Sequence, residues 1–236
     1  ENTAAMCVSR PTNPTGNVLS DIEISRLLSL AETHDVPFII DNAYGEPFPN
    51  IIFTETNPIW NKNIIYCMSL SKVGLPGTRT GIVIADEPII NLIRNMNAVI
   101  NLATGNFGAM ITKDLISSGE ILRLSQFQIK PYYQAKVIHA VEIIHRELDG
   151  LDYYIHKPEG AIFLWLWLPG LPISSDELYE RLKLKGVIII SGSHFFPGLE
   201  EDWKHKHQCI RITYSMNEKI VEKGIKLIAK ELKSIL

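Results

Sequence analysis

The chain has 236 residues, a formal net charge of −3 and 46% hydrophobic residues, enough apolar material for one large or two modest domains. With no basic block and no arginine-rich face, its charge pattern argues against nucleic acid or an anionic membrane as partner and favours small metabolites. The cysteines, Cys7, Cys67 and Cys209, are odd in number. Each lies in an apolar, strand-like segment, which predicts reduced, buried thiols and a cytoplasmic setting.

Short apolar strands alternate with amphipathic helices along the chain, the pattern of an α/β protein with a largely parallel sheet. Ala4 to Ser9 is the first predicted strand. Ser20-Asp21-Ile22-Glu23 then opens a helix as a capping box, in which the serine hydroxyl and the glutamate carboxylate satisfy backbone N–H groups reciprocally. Val36 to Asp41, Ile64 to Ser69 and Gly81 to Ala85 are further strands. From Glu87 the pattern turns helical, and Ile121 to Leu148 reads as a long helix that Pro131 bends or breaks. Beyond it come a strand over Ala161 to Leu168, a helix over Ser174 to Lys185, strands over Val187 to Ser191 and Cys209 to Tyr214, and a last helix over Asn217 to Leu236. No internal repeat is evident.

The run Ser69-Leu70-Ser71-Lys72-Val73-Gly74-Leu75-Pro76-Gly77-Thr78-Arg79-Thr80-Gly81 sets an amine beside hydroxyls and a fixed cation. A lysine can form a Schiff base with an aldehyde, and Ser69, Ser71 and Arg79 suit a phosphate. Pyridoxal 5'-phosphate carries both groups. The bland alternative is a solvated loop with its lysine in water. Upstream, the run Val36-Pro37-Phe38-Ile39-Ile40 ends in Asp41-Asn42-Ala43-Tyr44. A carboxylate at that strand end could keep a pyridine ring protonated, which is the role expected of Asp41. Tyr44 could hydrogen-bond the ring's phenolate oxygen and set the Schiff-base pKa. Asn13, in the turn Asn13-Pro14-Thr15-Gly16, could serve the same oxygen. In isolation Asp41 also reads as a helix cap and Asn13 as an ordinary turn residue.

Taken together, Asn-Pro-Thr-Gly at 13–16, Asp-x-Ala-Tyr at 41–44 and Ser-x-Ser-Lys at 69–72 with its following arginine resemble the class I/II aminotransferase family of fold type I. The strand Gln208-Cys209-Ile210-Arg211-Ile212-Thr213-Tyr214-Ser215 extends the resemblance. In that family its arginine binds the substrate carboxylate, and a planar guanidinium can grip a carboxylate through two parallel hydrogen bonds. The resemblance implies the following expectations. Residues 1–120 form part of the large cofactor-binding domain and 121–236 a small α+β domain. Catalysis falls to Lys72, Asp41 and Tyr44. The cofactor is held by Asn13, Asp41, Tyr44, Ser69, Ser71, Lys72 and Arg79, and the substrate by Arg211 and Asn13. The activity is ping-pong transamination of amino acids and 2-oxo acids, with Lys72 as general base, in a homodimer. The runs at 10–17, 159–167 and 194–199 further imply valine or alanine as donor and pyruvate or 3-methyl-2-oxobutanoate as acceptor. Two alternatives stay open: another enzyme of the same fold, such as a lyase, or a non-catalytic effector-binding module.

Family members are substantially longer, and Asn-Pro-Thr-Gly normally falls well into their chains. The sequence is therefore expected to be a C-terminal fragment that lacks the phosphate-cradling turn, the ring-stacking aromatic and part of the dimer arm, and is inactive by itself. It opens without a secretory or transit pattern and has no apolar run long enough to span a bilayer.

Three further features carry less. Trp165 and Trp167 alternate along one strand face and suit packing. His205, His207 and Cys209 share strand parity, but lack a fourth ligand or a second close-spaced pair, so zinc is not expected. Gly74-Leu75-Pro76-Gly77 lacks the spacing of a dinucleotide loop, and its glycines serve as backbone turns.

Overall fold

A computed structural model describes residues 3–236. The chain divides into two compact units, one built from residues up to Thr12 and Val18–Pro131, the other from Asn13–Asn17 and Tyr132–Leu236.

In the first unit β1 (Met6–Ser9) leads into α1 (Asp21–Thr33), then β2 (Phe38–Asp41), β3 (Ile64–Ser69) and β4 (Gly81–Ile84). The sheet order is β1-β2-β3-β4. The first three strands are parallel, and β4 returns antiparallel beside β3. The predicted capping box is present: Ser20 Oγ accepts the Glu23 N–H, and the Glu23 carboxylate accepts the Ser20 N–H at 2.7 Å. Side-chain alternation along a strand sends one parity to the core. Phe38, Ile40, Ile64, Tyr66 and Met68 are buried in one cluster with Ile24, Leu28 and Ala31 of α1. The opposite parity carries Cys7, Ile39 and Cys67, which corrects the expectation of three buried thiols. Cys7 is exposed and Cys67 half-buried, and only Cys209 is buried.

The helical part of this unit comprises α2 (Glu87–Asn101), α3 (Phe107–Ser117) and α4 (Glu120–Leu124). The long helix expected over Ile121 to Leu148 is interrupted just before Pro131, where a π-helical turn over Ser125–Ile129 joins α4 to α5 (Lys130–Glu147). Pro131 stands in the first turn of α5, where its missing N–H costs little.

In the second unit α5 is followed by β5 (Tyr154–Ile155), β6 (Phe163–Trp167), α6 (Ser175–Leu184), β7 (Ile190–Ser191), α7 (Lys204–His207), β8 (Cys209–Thr213) and α8 (Glu218–Ile235). These strands form an antiparallel sheet in the order β5-β6-β8-β7. Leu164, Leu166, Ile210 and Ile212 share one parity and are buried, as are Ile143 and Ile144 of α5, Leu178 and Leu182 of α6 and Ile228 and Leu232 of α8. The other parity holds Phe163, Trp165 and Trp167 on β6 and Cys209, Arg211 and Thr213 on β8. Trp165 is buried against Phe195, and Trp167 stacks on Tyr154 at 5.1 Å, so both tryptophans pack as expected. His205 and His207 do not share the parity of Cys209, because they belong to the short helix α7. His205 touches Cys209 Sγ at 3.4 Å, and no metal-binding cluster occurs among the described residues.

Candidate active site

The register of the first sheet gathers the candidate cofactor groups. Ser9 pairs with Asp41 and Asp41 with Cys67, so β1 and β2 end at one level while β3 runs two residues further, to Ser69. The carboxyl edge of a parallel sheet is where open α/β folds bind ligands, since the loops leaving the strands converge there. Asp41 terminates β2. Its Oδ1 accepts the Ala43 N–H at 3.1 Å, a local Asx bond that fixes the carboxylate, and Ser9 Oγ donates to its Oδ2 at 3.5 Å. Partial desolvation against the neighbouring strands, and secondarily the Asp41 charge, raise the thiol pKa values of the exposed Cys7 and the half-buried Cys67. Both thiols are therefore held protonated rather than primed as nucleophiles.

The loop after Asp41 is tightly self-bonded. Asn42 is buried and its Nδ2 donates to the Glu46 carbonyl, which also accepts the Tyr66 hydroxyl at 2.8 Å. Gly45 has no room for a side chain, as a Cβ there would lie 2.6 Å from the Arg10 carbonyl oxygen. Ile51 N–H donates to the Tyr44 carbonyl at 2.8 Å. These bonds fix the backbone that carries Tyr44.

Lys72 lies just beyond β3 in a 3₁₀ turn, Leu70–Val73, which departs from the plain loop read from sequence. Ser69 caps this turn by accepting the Ser71 N–H at 3.1 Å, and the fully buried Leu70 anchors it. Gly74 closes it at φ +108°, a left-handed conformation that only glycine adopts without strain. Lys72 Nζ lies 5.3 Å from the centre of the Tyr44 ring, within cation–π range. The Leu70 N–H donates to the Thr80 carbonyl at 3.1 Å, which folds the connection back so that Arg79 closes the stretch that Ser69 opens. Arg79 is exposed, stands at φ +46°, and donates to the Pro76 carbonyl at 3.4 Å.

In the second unit, Arg211 Nη1 donates to Asn13 Oδ1 at 2.6 Å. Asn13 thus meets Arg211 almost two hundred positions away, the residue with which the resemblance grouped it. Gly16 explains its location. At φ +73° it brings its carbonyl to the Glu159 N–H at 2.9 Å, and a Cβ would stand 3.2 Å from the Gly160 oxygen. Two rings also lie against the Arg211 guanidinium carbon, Phe163 at 4.8 Å and Phe195 at 5.0 Å. Neither was singled out from sequence. For Phe163 the available signal was strand parity, since it shares a sheet face with Arg211; Phe195 comes from a turn, and only its place in the run at 194–199 marked it.

A mainly parallel sheet packed with helices, followed by a small antiparallel unit, is the architecture of the pyridoxal-phosphate-dependent fold type I. The chain belongs to the family aminotransferase class I and II, whose sequence signature matches residues 1–228. It is 52% identical over 232 residues to the valine–pyruvate aminotransferase of Escherichia coli, covering 98% of this chain and 56% of that protein. Among solved structures, the valine–pyruvate aminotransferase of Salmonella typhimurium superposes with a TM-score of 0.95 at 51% identity, over 100% of this chain and 61% of that one. An α-aminoadipate aminotransferase of Thermus thermophilus, complexed with N-(5'-phosphopyridoxyl)-L-leucine, shares the fold at a TM-score of 0.84 and 21% identity, over 98% of this chain and 59% of that one. The chain therefore spans little more than half the length of these relatives. No helix among the described residues is long and apolar enough to cross a membrane.

Proposed function

We propose that the protein is an aminotransferase that moves an amino group between valine and pyruvate, giving alanine and 3-methyl-2-oxobutanoate. The observation that carries this reading is the convergence of Asp41 and Lys72 at one sheet edge with Tyr44 beside the amine. The 52% identity to a valine–pyruvate aminotransferase supports the substrate pair. The first unit would belong to the large cofactor-binding domain and the second to the small domain of this fold. We further propose a homodimer acting in the cytoplasm, on small amino and oxo acids alone.

The donor set fits pyridoxal 5'-phosphate: an amine for its aldehyde, a carboxylate for its ring nitrogen, a phenol and a carboxamide for its ring oxygen, and two hydroxyls with a guanidinium for its phosphate. Bound there, the cofactor supplies an aldehyde that condenses with amino groups and a cationic ring that withdraws electrons from the substrate α carbon. Asp41 would keep the ring nitrogen protonated. Tyr44 would donate its hydroxyl to the ring oxygen, and Asn13 is assigned to that oxygen and to the substrate. Ser69, Ser71 and Arg79 would hold the phosphate. Lys72 would hold the aldehyde, and its Nζ, when free, would take the substrate α proton as general base and return a proton as general acid. Arg211 binds the substrate carboxylate and orients the α carbon.

Borohydride reduction of the full-length protein with pyridoxal 5'-phosphate tests the central assignment. A reduced adduct mapped by peptide sequencing to Lys72, lost in Lys72→Ala with the fold intact, is expected. A label elsewhere would remove Lys72 from its role.

A further inference from the structure

The two rings against Arg211 differ in what else they do. Phe163 is buried at the start of β6 and belongs to the packed sheet face. Phe195 is half-buried at the end of the 3₁₀ turn Gly192–Phe195, between β7 and α7. That turn is tied down by a chain of hydroxyls. Ser175 Oγ meets Ser191 Oγ at 2.7 Å, Ser191 Oγ meets Ser193 Oγ at 3.0 Å, and Ser193 Oγ donates to both Asp176 oxygens at 3.1 Å. Gly192 packs so closely that a Cβ would lie 2.6 Å from the Cys209 carbonyl oxygen. At the tip, Phe195 meets the edge of Trp165 at 5.4 Å, and Trp165 is the register partner of Arg211 across the sheet. The turn is therefore braced at its base and at its tip, and the ring it presents lies against the guanidinium.

A guanidinium offers its hydrogen-bond donors in one plane, so bidentate capture of a carboxylate depends on how that plane is held. An aromatic face favours parallel stacking and restricts rotation about the arginine stem, while Asn13 fixes one edge. We infer that Phe195 is a positioning residue: together with Phe163 it holds the plane of Arg211 for a substrate carboxylate. The inference rests on the proposed role of Arg211. Because Phe195 sits half-buried in a turn while Phe163 is buried in the sheet, replacing Phe195 disturbs packing less than replacing Phe163 would.

The test uses full-length protein loaded with pyridoxal 5'-phosphate and compares Phe195→Leu, Phe195→Tyr and Arg211→Lys. Phe195→Leu is expected to raise KM for the amino donor about tenfold, the scale of a lost cation–π contact, with a smaller fall in kcat. Competitive inhibition by 3-methylbutanoate, which offers a carboxylate without an amine, weakens by the same factor, inhibition by isobutylamine does not, and Phe195→Tyr restores both constants. If Arg211→Lys weakens carboxylate inhibition while Phe195→Leu leaves it at the wild-type value, the inference about Phe195 falls and the role of Arg211 stands. If Arg211→Lys leaves it unchanged, the carboxylate-binding reading falls first. Should Phe195→Leu melt early in circular dichroism, Phe195→Met carries the same comparison.

Discussion

At the scale of single residues, the chain shows how a charge is tamed by its neighbours rather than by its identity. Arg10 is buried and spends its guanidinium on the Leu19 carbonyl at 2.7 Å, the Asn57 carbonyl at 3.1 Å and the Asp21 carboxylate at 2.5 Å. Hydrogen bonds from Arg10, then from Asn57, lower the Asp21 pKa from 3.8 to about 2. A carboxylate whose folded pKa is depressed adds stability above its unfolded pKa and loses it as pH falls through the folded value. Folding stability should therefore decline between about pH 4 and pH 2 in part through this one group, and Asp21→Asn should flatten the decline. Urea midpoints measured across that interval check it; an unchanged slope in the variant would assign the decline to other carboxylates. By the opposite sign, burial pushes the Cys209 thiol up to about 12, which leaves it inert. Lys72 and Arg211 were readable as chemical candidates because each stands in a distinctive run. Phe195 was not, because its significance lies in a contact with a residue of another strand.

Elements were legible where local chemistry decided them. The capping box at Ser20, the strands through Ile64 to Ser69 and Cys209 to Thr213 and the closing amphipathic helix all form within a residue or two of their expected limits. Where competition between states was close, local reading failed. Val187 to Ser191 shrinks to a two-residue strand, because the Val187 N–H is claimed by the Leu182 carbonyl at 3.0 Å as α6 terminates. The histidines at 205 and 207 take a helical turn, since a strand pattern only two residues deep cannot outbid an i to i+3 hydrogen bond. The joint between β7 and β8 gives a prediction at this scale. Gly192→Ala forces a methyl group against the backbone oxygens of Lys206 and Cys209, both closer than 2.8 Å. Since backbone cannot yield as a flexible side chain can, the substitution should cost about 1 to 3 kcal/mol, read as a lower midpoint in denaturant unfolding.

For the whole molecule, the choice among reactions of this fold is tested by products. Valine and pyruvate supplied to the full-length protein should give alanine and 3-methyl-2-oxobutanoate in equal amounts, followed by chromatography. Release of ammonia without alanine would instead assign a lyase. The sequence by itself determined the class of fold and the family, and it named candidate groups for the cofactor and substrate. Hydrophobic periodicity, capping residues and short runs around Asp41, Lys72 and Arg211 are local properties that a linear reading captures. Only the tertiary structure decided which of these groups meet. Strand register set Asp41 level with Cys67, the backbone of the Asp41 loop put the Tyr44 ring beside Lys72, and a positive-φ glycine at Gly16 carried Asn13 to Arg211. The fate of Cys7 was also settled there, because burial depends on which sheet face is covered, and alternation along a strand names the two faces without saying which one the helix will take.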